Sequence, residues 1–151
     1  MLKGIAPELN AEVLYALRAM GHGDTVVICD TNFPADSVAR QTSFGNAVHM
    51  DGCSAAEAAK AVLSVMPLDT FIDNAVLRME VVDAPNEVLP VQEEVQAQID
   101  ASQPKPCPMG SLERMAFYEH AKNAYCVITT GERRFYGCFI FSKGVIGPDG
   151  E

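Results

Sequence analysis

The run "TVVIC", residues 25–29, constrains this chain more than any other stretch. Five consecutive residues with no charge among them, rich in β-branched side chains, predict a strand covered on both faces rather than one lying on solvent. Such a strand needs helices above and below it. Residues 8–20 place Leu9, Val13, Leu17 and Met20 on one helical face, with Gly21 following as a stop. "SAAEAAKAVLSVMP" opens with Ser54 and Glu57 at capping-box spacing and closes at Pro67, with Val62, Leu63, Val65 and Met66 on its inner side. Weaker helical patterns cover 91–101 and 117–124. Apolar runs at 75–82, 124–129 and 138–142, and a weaker one at 47–50, are strand candidates. Helices alternating with buried strands predict an α/β fold: a three-layer α/β/α single domain, residues 1–151, around a central sheet.

Composition bounds the function. The chain has 151 residues, 48% of them hydrophobic and 21% charged, which suits one globular domain. A formal charge of −9, with eleven scattered basic residues, argues against nucleic acid and against an anionic membrane surface. The N-terminal stretch turns polar by Glu8, so no secretory leader is expected, and no segment approaches the roughly 20 apolar residues of a spanning helix. Five cysteines, an odd number without close pairs, read as reduced thiols in a cytoplasmic protein. No Cys-x-x-Cys exists and the histidines are dispersed, so a structural zinc site is not expected; no cofactor is expected either.

Two residues flank the first strand. His22 stands between two glycines, where little can hide it; it is either a surface turn residue or an exposed proton shuttle. Asp30 ends the strand, where open α/β sheets bind ligands. It is either the cap of the turn "TNFPADS" or a carboxylate that accepts hydrogen bonds from sugar hydroxyls. "GHG" is not a dinucleotide fingerprint, because a helix precedes it and a strand follows. "CDTN" has Asn32 where an aspartate-nucleophile phosphatase carries its second acid. Farther on, Arg114 and Tyr118 are four residues apart and able to meet on one helical turn. Tyr136 and Gly137 stand at the entrance to the last strand, where a phenol reaches a ligand while its ring packs, or where the ring is simply core.

Taken together, "ELNAEVLYALRAMGHGD", "CDTNFPADS", "DGCSAAEAAKAVLSVMPLDTF", "ERMAFYEHAKNAYCVITTGERRFYG" and "SKGV" resemble the RbsD/FucU family of D-ribose pyranases and L-fucose mutarotases. The resemblance covers residues 4 to 146 and is loose over 84–110. It implies an RbsD-like fold, with the family's catalytic histidine at His22 and its sugar-binding aspartate at Asp30. The arginine of fucose-type members falls on Arg114, where ribose-type members carry histidine. The pocket's tyrosine-glycine-asparagine reads Tyr136, Gly137 and Cys138. Cys138 is a departure, since a thiol offers little of what an amide donates and accepts.

The resemblance further implies a homo-oligomer, a ring-built decamer with sites near subunit contacts. The expected reaction is interconversion of anomers, or of pyranose and furanose forms, of a free monosaccharide, L-fucose above others. One proton leaves the anomeric hydroxyl and one reaches the ring oxygen, which is general acid–base work without metal or nucleotide. His22 is the expected proton carrier, with Asp30 holding the sugar beside it. The alternatives are a non-catalytic sugar-binding module accessory to uptake, and a phosphatase or epimerase built on Asp30.

Overall fold

Gly23 and Lys143 set how the first helix hands over to the first strand in the computed structural model, which describes residues 1–150. Helix α1 (Ala11–Ala19) begins at Asn10, whose side chain accepts the Val13 N–H. At its other end the Lys143 ammonium donates to the carbonyls of Leu17 and Met20. A cation on these unpaired carbonyls is what a helix C-terminus favours. The turn's left-handed residue is Gly23, φ +83°, and not the expected stop Gly21, whose N–H instead donates to the Asp24 carboxylate at 2.7 Å.

Strand β1 (Thr25–Cys29) then runs through the middle of a six-stranded sheet. The order is β2-β5-β1-β6-β3-β4, with β2 (Val48–Met50), β3 (Val76–Met79), β4 (Gly110–Leu112), β5 (Cys126–Thr130) and β6 (Phe139–Ser142). Strands β2, β5 and β1 are mutually parallel, β6 is antiparallel to both its neighbours, and β3 and β4 are parallel.

Every interior residue of β1 is buried, yet the faces alternate. Val26 and Ile28 join one core, which takes Val13 and Leu17 of α1, Val62 of α3 (Ala55–Leu63) and Val95 of α4 (Pro90–Ser102). Val27 and Cys29 join the other, with Val38 of α2 (Ala35–Ala39) and Phe117 and Ala121 of α5 (Arg114–Lys122). The period of two thus survives inside an uninterrupted apolar run. The expected three-layer α/β/α arrangement is present. The Ser54–Glu57 capping box forms both of its hydrogen bonds, at 2.8 and 3.2 Å. The five-residue α2 and the three-residue β4 are additions to the expected elements. No described helix is long and apolar enough to cross a membrane.

Candidate active site

Asp30 closes β1 and is 5% exposed, so its charge needs partners. They are supplied locally. Oδ1 accepts the N–H groups of Asn32 (2.9 Å) and Phe33 (3.1 Å), an Asx turn that starts the segment leading into α2. Oδ2 accepts the Gly137 N–H at 3.1 Å and the Cys138 thiol at 3.4 Å. The carboxylate therefore caps the turn and also ties the end of β1 to the start of β6. Gly137 is required for that approach: a Cβ there would lie 2.9 Å from Cγ of Glu132 and 3.4 Å from Cβ of Asp30.

A pocket of about 300 Å³ opens beside this carboxylate. Asp30, Arg114, Tyr118, Tyr136 and Cys138 supply its polar wall, and Phe33, Met79 and Phe135 its apolar wall. Helix α5 begins with Arg114, because the Glu113 carboxylate caps the N–H groups of Met115 and Ala116. One turn later Tyr118 joins the same wall, as the four-residue spacing predicts. Burial raises the Tyr118 phenol above its ordinary range, with Arg114 pulling the other way, so it remains a hydrogen-bond donor at neutral pH. Tyr136 adopts φ +61°, an uncommon conformation for a bulky residue. Its hydroxyl accepts the Val82 N–H at 3.2 Å and keeps its own proton to donate. Burial, and next the Asp30 charge, push the Cys138 thiol well up, so the group is a neutral S–H and not a nucleophile.

His22 is not in this pocket. It lies before β1 and Asp30 after it, and the five residues of the strand alone span roughly 16 Å. Within one chain the structure does not bring these two expected partners together. His22 instead meets Asp69, a residue the sequence reading passed over: Nε2 lies 3.1 Å from Oδ2. Asp69 is itself fixed, its N–H donating to the Ser142 carbonyl and its Oδ1 accepting the Phe71 N–H. A carboxylate at Nε2 keeps the proton there and leaves the lone pair of a neutral ring on Nδ1. The ring stands edge-on to Phe71, with centroids 5.5 Å apart. His22 is 45% exposed and Phe71 is 72% exposed, so the pair faces outward.

The loop entering the pocket is held by a second ion pair outside the expected set. Glu132 is buried, accepts from Arg134 Nε at 2.9 Å, and also accepts the Ala55 N–H of α3. The Arg134 hydrogen bonds hold its carboxyl down at about 2. Arg134 in turn forms two bonds to Glu94 on α4, at 2.8 and 2.7 Å. Among the described residues no group of three or more His, Cys, Asp or Glu is placed to hold a metal ion.

A solved structure of the protein Atu2016, provisionally described as sugar binding, is 65% identical, with TM-score 0.95 and 97% of each chain covered. Fucose mutarotase of Bos taurus is 38% identical over 152 residues, covering 98% of this chain and 96% of its own. The crystal structure of the Streptococcus pneumoniae fucose mutarotase in complex with L-fucose superposes with TM-score 0.86 at 31% identity, covering 97% of this chain and all of that one. Residues 3–146 match the model of the RbsD / FucU transport protein family, and to that family this chain belongs.

Proposed function

We propose that this protein is a monosaccharide mutarotase acting on L-fucose, a reading its fucose mutarotase relatives support. The observation that carries it is the convergence of Asp30, Arg114, Tyr118 and Tyr136 on one small pocket with an apolar wall. A sugar ring presents hydroxyls to the first group. The methyl of a 6-deoxy sugar would rest against Phe33 and Met79 of the second.

Mutarotation begins with removal of the anomeric hydroxyl proton and delivery of a proton to the ring oxygen, which breaks the ring C–O bond and leaves an open aldehyde. Rotation about the C1–C2 bond and closure by the reverse transfers give the other anomer. No atom is gained or lost. An imidazole is suited to this traffic, with a pKa near neutrality and a rate contribution of about 10²–10⁴. His22 fills that role in our reading, Nδ1 exchanging the proton while Asp69 holds Nε2.

Because β1 separates His22 from the pocket of its own chain, we assign His22 to the pocket of a neighbouring copy. Two outward apolar groups suit this contact: Phe71 with Ile72 beside His22, and Phe135 with Met115 at the pocket side of the molecule. A contact between unlike surfaces of identical chains closes into a ring when the rotation between neighbours divides a full turn evenly. A decamer built from such rings is the assembly we propose. A cytoplasmic setting accords with four buried cysteines that stand unpaired.

The test is anomer exchange followed by NMR magnetisation transfer, with L-fucose, D-ribose and D-galactose in parallel. We expect acceleration greatest for L-fucose and lost in His22→Ala. A folded, assembled wild type that accelerates none of the three would sink catalysis and favour a binding module.

A further inference from the structure

Arg78 on β3 is 7% exposed, and its environment lacks what a buried guanidinium requires. Among the described residues no carboxylate forms an ion pair with it. Its acceptors are neutral: the Pro85 carbonyl at 3.0 Å and the Gln92 side-chain oxygen at 3.4 Å, a long contact. Two of its five N–H donors are thereby used, and no carboxylate lies within ion-pair distance of the charge. Burying a cation in this way is costly unless a negative partner arrives.

The same guanidinium lines a cavity of about 350 Å³ beside α4, separate from the sugar pocket and sharing no lining residue with it. Gln96 in its wall is fully occupied, since its amide serves Asp100, Cys107 and Met109. Two carboxylates remain as acceptors, Glu93 and Asp100, both on α4 and both exposed. One buried cation faces two acids across a small space. That pattern repels a dianion such as phosphate and suits a single carboxylate whose molecule also brings donors of its own.

We propose that this cleft is a second ligand site, in which Arg78 receives the carboxylate of a small α-hydroxy or α-amino acid while Glu93 and Asp100 accept from its hydroxyl or ammonium. A planar carboxylate matches the guanidinium fork with two parallel hydrogen bonds. The cavity volume lies at the lower end of the range for small-molecule sites.

Gln92 provides the reporter. Its side-chain amide is fully buried, accepts from Arg78 and Leu89, and donates to the carbonyls of Met79 and Tyr136. A carboxylate that draws the guanidinium away from Gln92 must move that amide's NMR resonance. The probes are glycolate, glycine and acetate, titrated to the tens of millimolar at matched ionic strength. Glycolate or glycine should shift the Gln92 amide with dissociation constants in the millimolar range, about tenfold tighter than acetate. Which of the two binds separates the hydroxy acid from the amino acid. Arg78→Met should abolish the response. The change Glu93→Gln with Asp100→Asn, which keeps an accepting oxygen at position 100 for the Gln96 amide, should reduce both probes to the level of acetate. No shift with any probe would overturn the site, as would unaltered binding in the double variant. A fall in melting temperature on Glu93→Gln equal to that of Arg78→Met would also overturn it, by showing that Glu93 is already the counter-ion.

Discussion

Cys138 and Asp69 are single residues on which the proposed chemistry turns. The thiol of Cys138 donates to Asp30 Oδ2, at the position where the family resemblance implies an asparagine amide. Cys138→Asn restores two donors and an acceptor at the pocket wall, and one sugar hydrogen bond is worth about 0.5–1.5 kcal/mol. The variant should therefore bind L-fucose roughly 2- to 10-fold more tightly, read as a lower KM with kcat little changed. An unchanged KM would mean that position 138 does not touch the sugar. In the proposed mechanism Asp69 acts through His22. Asp69→Asn keeps the shape but lets the ring carry its proton on either nitrogen, so kcat should fall on the order of 10²-fold with KM nearly constant. Asp69→Glu should recover part of the loss; a melting temperature that falls in step with kcat would instead mark Asp69 as structural.

At the scale of elements, the segment joining β5 to β6 matters most, because it carries Tyr136 and Gly137 and is anchored by Glu132. A carboxyl held at about 2 in the folded chain and near 4.5 when free contributes stability that is complete above pH 4.5 and lost as pH falls towards 2. Half-exposed Arg134 lets water into the pair, so the contribution is about 1–2 kcal/mol. Urea unfolding of wild type and Glu132→Gln should differ by that amount at pH 7 and converge near pH 2. A constant difference across this range would contradict the assignment. Most elements were legible beforehand because apolar periodicity marks them. Helix α2, "ADSVA", is too short to show a period, and β4, "GSL", has no apolar run; both depend on neighbours for their form. Among site residues, Asp30, Arg114, Tyr136, Gly137 and Cys138 meet as expected, since each sits at a strand or helix end on the same side of the sheet. Asp69 escaped notice because 47 residues separate it from His22, and the two meet only through the end of β6, which bonds to Asp69 at Ser142 and to Gly23 and Asp24 at Lys143. The pairing of His22 with Asp30 failed within one chain for the opposite reason: closeness in sequence along an extended strand is distance in space.

For the whole molecule, that distance makes the proposed site a matter of assembly. His22→Ala and Arg114→Glu should each be nearly inactive alone. Co-expressed in equal amounts, they should regain about a quarter of wild-type exchange, the fraction of contacts joining an intact His22 to an intact pocket. No recovery in mixed assemblies would show that His22 does not serve a neighbour. The alternating faces of β1, its two cores and its polar ends give each chain a rigid rod with a base at one tip and a receptor at the other. Specific activity should then follow a threshold in concentration. A dilute solution of perfectly folded chains would be silent, and turnover would switch on over the narrow range in which the rings form, so that expression level itself acts as the enzyme's gain control.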